Sequence, residues 1–486
     1  MDEPITTSPT RAADSKLELE LQFRTFAILW ALASLFVVWQ RLDFAFSDPI
    51  RMSINGGLAI AAMGTLIFSR SAIPITILGA LHFGHAAFEM PQVHSADLLM
   101  AFFGLSVLIS YSSHVLVNRT YDASGIRLHR SFVPPMRIMV VLSLLAIGVS
   151  RLNWGFIDAT TGPVASTLAT IRGEAVSEWI VYFTISLLVI VDGFIAIALM
   201  VPSLRRFAVG FGSCYFCWQA WMGFGEAQYL LPVMLVGLCL FTSTESATRF
   251  YNSLQRWIPI PALRASGLTT FVIAVGLVAI GLWSHSRQAT EEPIWLTRDR
   301  FIGISFTFLV GFWLVLLLSN LVDFRPKLTW VSMAPRNVAH YALLLGFVVF
   351  LTSPYVGLGN VGRLTWNSGF AAAGPANNHI FIPQASLTNL DHEFVDIIDS
   401  SDPYLAQLGQ NGLKISWFDL VNYLNSRPDT SLDFVRGGQR YRPENVGEID
   451  VFSEQNNWWA RKFVQFQPIH IATFDGLSRD KMVAQP

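Results

Sequence analysis

The sequence predicts a mainly α-helical, polytopic transmembrane bundle of nine to eleven spans, followed by a small C-terminal extracytoplasmic α+β domain, and three observations predict it. Of 486 residues, 52% are hydrophobic and only 14% charged, with 37 Phe and 15 Trp, a composition far too apolar for an ordinary soluble enzyme. Apolar runs of about 15 to 23 residues, near the length that crosses ~30 Å of hydrocarbon, recur along the first three quarters of the chain. After Pro354 they stop, and Gly, Asn, Asp, Arg and Trp become frequent.

Residues 1–24 read as a cytoplasmic tail. Met1 to Glu20 is polar and mixed in charge, with no basic stretch leading into a short apolar region and a cleavage site. The first apolar segment is therefore expected to stay as a helix. Within the membrane domain, residues 25–354, candidate spans fall near 25–41, 54–69, 72–90, 97–117, 136–150, 179–201, 207–223, 228–243, 266–284, 302–322 and 338–354. The shorter runs suit only re-entrant, kinked or bundle-buried helices.

With the N-terminus in the cytoplasm, thirteen Lys and Arg residues fall in or at the ends of the cytoplasmic links between spans and seven in the opposite ones, so the positive-inside rule favours that orientation. Eleven spans then put residues 355–486 outside the cytoplasm. A bacterial inner membrane is the expected location. Net charge is -1, which gives no basic excess for nucleic acid, and the three cysteines all lie in apolar segments, too few for a disulfide framework. In the C-terminal domain, 378–383 and Ser431 to Val435 read as short strands between turn residues. Leu390 to Leu408 and Ser416 to Asn425 read as helices, the second capped by Ser416.

Several groups could carry chemistry. At 100° per residue, His82, His85 and Glu89 share one stripe of the third span, suited to binding a polar ligand head or to hydrogen-bonding neighbouring helices. His94 and Asp97 sit in the link before the fourth span, where an acid also caps a helix start. Asp192 lies in the middle of the sixth span; it either pairs with a base, such as a histidine or Arg151, or stays protonated. Arg151 closes the run Met136 to Ser150. A bare guanidinium in hydrocarbon costs roughly 3 kcal/mol or more, so Arg151 is an anchor or a site residue. Cys214-Tyr-Phe-Cys217 has redox spacing in an apolar span, where helix packing is the simpler role. No metal-ligand, Walker or nucleophile-elbow motif occurs.

Three segments in order resemble the HTTM membrane family, which includes the vitamin K-dependent gamma-glutamyl carboxylase. They are Gly148-Val-Ser-Arg-Leu-Asn-Trp-Gly-Phe-Ile-Asp158, Pro91-Gln-Val-His-Ser-Ala-Asp-Leu-Leu99, and Pro354-Tyr-Val-Gly-Leu-Gly-Asn360 with Asn377-Asn-His-Ile-Phe-Ile-Pro383. The resemblance implies a helical bundle with an extracytoplasmic tail and a quinol-binding cavity facing the membrane. It carries the family's catalytic lysine onto Arg151 and its histidine onto His94, while Val93 stands where an asparagine is usual. A desolvated lysine can lose its proton and act as a base; a guanidinium cannot.

The leading expectation is therefore an HTTM-like protein that binds a quinone or other lipid, with His82, His85, Glu89 and Asp192 as cofactor-binding candidates and no metal. It would serve as an accessory subunit or an enzyme of altered chemistry. The alternatives are an active carboxylase-like enzyme using His94 and Arg151, or a scaffold that offers residues 355–486 to an extracytoplasmic protein partner.

Overall fold

A computed structural model describes residues 9–40, 49–90, 93–121, 124–159, 162–174, 176–222, 227–243, 245–249, 313–314, 332–359, 364, 379–381, 393–410, 412–448, 458–466 and 468–470. Among them the fold is mainly helical: α1 (Pro9–Gln40), α2 (Pro49–Ile67), α3 (Ala72–Glu89), α4 (Ser95–Asn118), α5 (Gly125–Ser150), α6 (Trp154–Ile157), α7 (Pro163–Arg172), α8 (Glu178–Met200), α9 (Arg205–Trp221), α10 (Ala227–Cys239) and α11 (Val338–Thr352).

Six segments among the described residues are long and apolar enough to cross a membrane: Lys16–Val38, Pro49–Ile67, Ser95–Asn118, Gly125–Ser150, Glu178–Met200 and Val338–Val356. Among the described residues, six of the eleven expected spans meet this standard. Helices α3 and α9 cover two further expected spans without meeting that standard, α10 is a shorter apolar helix, and the expected spans 266–284 and 302–322 lie outside the described residues.

The burial pattern of α8 shows how a spanning helix is built here. Val181, Ile185, Leu188, Asp192, Ile195 and Leu199 are buried at alternating steps of four and three, while Trp179, Tyr182, Phe183, Ile190, Phe194 and Ile197 are exposed. One face packs on protein and the other is apolar, as a lipid-facing surface must be. Helix α11 repeats this, with Val338, Tyr341, Leu345 and Val349 outward and Leu343, Phe347 and Leu351 inward.

The described chain forms two compact units. The first comprises residues 1–88, 96–144 and 193–347; the second comprises 89–95, 145–192 and 348–486. Close helix packing in the first rests on small residues: a Cβ added at Gly104 of α4 would lie 2.3 Å from the Gly79 carbonyl oxygen of α3. Polar groups also join its helices. Ser34 donates to the Trp30 carbonyl at 2.7 Å and takes the His82 Nε2 hydrogen at 2.8 Å.

In the second unit, residues 394–470 carry a five-stranded antiparallel sheet of order β4-β3-β1-β2-β5, formed by β1 (Phe394–Ser400), β2 (Leu413–Ser416), β3 (Leu432–Arg436), β4 (Gln439–Tyr441) and β5 (Ile469–His470). Helices α12 (Pro403–Gln410), α13 (Trp417–Leu424) and α14 (Trp458–Phe463) complete it. Val395, Ile397, Leu405, Leu408, Leu420, Val421, Leu424 and Phe434 form its core, each such burial contributing about 1.5 to 3 kcal/mol.

The expected helix over Leu390 to Leu408 is corrected here: 394–400 is the central strand, and helix begins only at Pro403. Val395 and Ile397 alternate inward, and β1 pairs on both sides with β2 and β3. The expected strand at 431–435 is observed as β3, closed onto β4 by Gly437 and Gly438, both at positive φ as a two-residue hairpin requires. The expected Ser416 cap is present, accepting from the Asp419 N–H at 3.0 Å. Of the expected strand 378–383, His379 makes an isolated bridge with Asn153, Ile380 and Phe381 lie in no strand, and 378, 382 and 383 lie outside the described residues.

Candidate functional site

The second unit gathers the polar residues of Gly148 to Asp158 with those of α8 and the segment at His379. Arg151 follows the last residue of α5, and its side chain is almost completely buried. Its Nη1 is ion-paired with Asp192 Oδ2 and donates to the Leu188 carbonyl at 3.2 Å. The Phe156 ring stands 5.7 Å from the guanidinium carbon. Of the two roles open to Asp192, the structure shows the ion pair with Arg151, its side chain wholly buried.

Position along the helix matters as much as the pairing. Asp192 is the fifteenth residue of the 23-residue helix α8, so it lies roughly 21 Å from that helix's start, well inside a span. Arg151 reaches it from the residue just beyond α5. The end of α5 and the irregular backbone after it therefore lie beside the inner part of α8 rather than at its end. Non-helical backbone at that depth is tolerated only where protein or a polar cavity surrounds it, because each exposed N–H or C=O costs several kcal/mol in hydrocarbon.

Side chains satisfy this backbone. Asn153, fully buried, donates from Nδ2 to the Ser150 carbonyl at 2.7 Å and accepts the Phe156 N–H at 2.9 Å, closing α5 and opening α6 with one amide. His379 donates from Nε2 to the Val149 carbonyl at 3.1 Å and accepts the Phe381 N–H on Nδ1 at 3.1 Å, an arrangement met by the neutral ring. Ile380 N–H adds a bond to the Leu152 carbonyl at 3.1 Å. The Tyr355 ring packs edge-on to His379 with centroids 5.6 Å apart.

The remaining expected site residues divide between the units. Glu89 and His94 fall in the second, both half-buried, with His94 immediately before α4. His82 and His85 fall in the first and are buried. His82 links α3 to α1 through Ser34 and stacks on Trp30 at 6.0 Å, which is the helix-bridging role that polar residues often take inside bundles. Among the described residues, no group of three or more His, Cys, Asp or Glu could hold a metal ion.

Sequence reasoning passed over Asn153, Tyr355 and His379 as site residues. The run around His379 was visible as a segment of the family resemblance, and that was its only signal. Chemically, the group is a charge-neutral ion pair with the Phe156 ring beside its guanidinium, and a neutral histidine on the Val149 carbonyl two residues before Arg151. Its guanidinium holds charge and donates hydrogen bonds, and it cannot serve as a base. No family model, no curated protein and no solved structure matches this chain.

Proposed function

We propose that the chain is an HTTM-like integral membrane protein that binds a quinone or another lipid beside the Arg151–Asp192 pair. In this reading it is an accessory subunit or an enzyme of altered chemistry, and not a carboxylase. The observation that carries the reading is the burial of that pair within a helix long and apolar enough to cross a membrane, next to irregular backbone capped by Asn153 and His379. Polar groups at such depth are costly and mark sites where a polar ligand head is held. The Phe156 ring beside the guanidinium offers a flat apolar surface of the kind that suits a ring carrying carbonyl or hydroxyl groups.

The same reading places the protein in a bacterial inner membrane with a cytoplasmic N-terminus and an extracytoplasmic C-terminal domain, open to a protein partner. The make-up of the second unit supports one shared membrane face: it joins the start of α8 to the end of α11, as an even number of crossings between them would require.

A photoreactive quinone analogue added to the purified protein tests the proposal. The reading expects crosslinks on peptides containing 148–158, 188–192 or 379–381, competed away by unmodified quinone. Crosslinks confined to other helices, or unaffected by competitor, contradict it.

A further inference from the structure

Helix α14 joins its domain through one face and leaves another outward. Ala460 and Val464 are buried and pack with Phe418 and Phe466, while Trp459 and Phe463 are each 45% exposed. At ~100° per residue, Trp459, Phe463 and Lys462 project within one arc of about 100°, and Ala460 and Val464 fall outside it. The outward arc thus carries two aromatic rings and a cation.

What this arc faces is set by a single hydrogen bond. Lys462 Nζ donates to the Met90 carbonyl at 3.1 Å. Met90 begins the five-residue link between α3 and α4, and α4 is one of the helices fit to cross a membrane. A short link between two apolar helices lies at the boundary of the bilayer. Lys462 is therefore held at that boundary, on the membrane face where α3 ends and α4 begins. Tryptophan and phenylalanine beside lysine and arginine are the residues that settle at the headgroup level, the rings among the glycerol and upper acyl groups and the cations on phosphate.

We propose that α14 rests on the surface of the same membrane that the chain's helices cross, with Trp459 and Phe463 set among the phospholipid headgroups. The C-terminal domain is then held to the bilayer at this helix. This surface is separate from the Arg151–Asp192 site, and its test is independent of quinone binding.

The test uses the full chain, with Cys214, Cys217 and Cys239 replaced by alanine, reconstituted in phosphatidylcholine–phosphatidylglycerol vesicles. Single cysteines carrying a fluorescent maleimide are placed at Trp459→Cys, at Phe463→Cys and, as a control on the exposed strand β4, at Tyr441→Cys. Phe463→Cys supplies the same reading should Trp459→Cys fail to fold. We expect the probes at 459 and 463 to be quenched several-fold more by brominated lipid than the probe at 441, and to be shielded several-fold from aqueous iodide. Equal access of iodide to all three positions would overturn the proposal. Shielding at 459 and 463 without lipid quenching would also overturn it, assigning the surface to a protein partner or a second copy.

Discussion

Arg151 and Asp192, 41 residues apart in the chain, meet as a buried ion pair in which the guanidinium comes from beyond a helix end and the carboxylate from the middle of a span. Each makes the other tolerable at that depth. The Leu188 carbonyl, one turn before Asp192, takes a second hydrogen bond from the same nitrogen, so the guanidinium is fixed along the α8 surface.

Removing one partner leaves a buried charge uncompensated, which costs about 3 to 5 kcal/mol. Asp192→Ala is accordingly expected to lower the melting temperature of the detergent-solubilised protein sharply. The double variant Arg151→Met, Asp192→Leu removes both charges at similar volume and is expected to recover most of the loss. A double variant no more stable than Asp192→Ala would show that the pair is not the main interaction at this position.

His379 ties residues 379–381 to the end of α5 through two hydrogen bonds made by its ring. His379→Ala leaves the Val149 carbonyl and the Phe381 N–H to find other partners, at roughly 1 to 3 kcal/mol. Limited proteolysis is expected to cut near 379–381 faster in the variant than in the wild type.

In the C-terminal domain, Asp419 accepts hydrogen bonds from the Ser416 hydroxyl at 2.5 Å and from the Phe466 N–H at 3.0 Å. Burial is the larger influence and pushes its carboxyl up from 3.8 to about 7, against those two bonds. A raised folded-state value means that the native domain holds a proton the unfolded chain has released. Stability from this group is full below about pH 4 and falls as pH rises toward 7, by up to about 1.4 kcal/mol per unit. Thermal melts across pH 4 to 8 are expected to show this decline in the wild type and a flatter profile in Asp419→Asn.

Gly104 faces the Gly79 backbone closely enough that a methyl group would meet the carbonyl oxygen at 2.3 Å. Gly104→Ala must therefore push α3 and α4 apart, costing about 1 to 3 kcal/mol. Melting in detergent is expected to fall accordingly, while Gly84→Ala, where an added Cβ meets nothing within 4 Å, is expected to leave it unchanged.

Which of these features were legible in the sequence follows from how local their causes are. The long apolar helices were legible because length and hydropathy are properties of one segment. The pairing of Asp192 was narrowed to two outcomes because an acid at mid-span must be neutralised, and the Ser416 cap was legible because a cap is a local motif. Strand β1 was not: Phe394-Val-Asp-Ile-Ile-Asp offers too short an alternation, and its conformation is decided by β2 and β3, which pair with it from later in the chain. His379 was missed as a site residue for a related reason. The acceptor of its Nε2 is a backbone carbonyl 230 residues away, and carbonyls leave no mark on a sequence.

The most direct measurement of the central claim is mass spectrometry of lipid extracted from the purified protein, combined with melting curves before and after quinone is added. The account predicts a bound quinone or other polar lipid in the wild type and a higher melting temperature on quinone addition, both lost in the Arg151→Met, Asp192→Leu double variant. A wild-type protein that carries no such lipid and melts at the same temperature with and without quinone would contradict it.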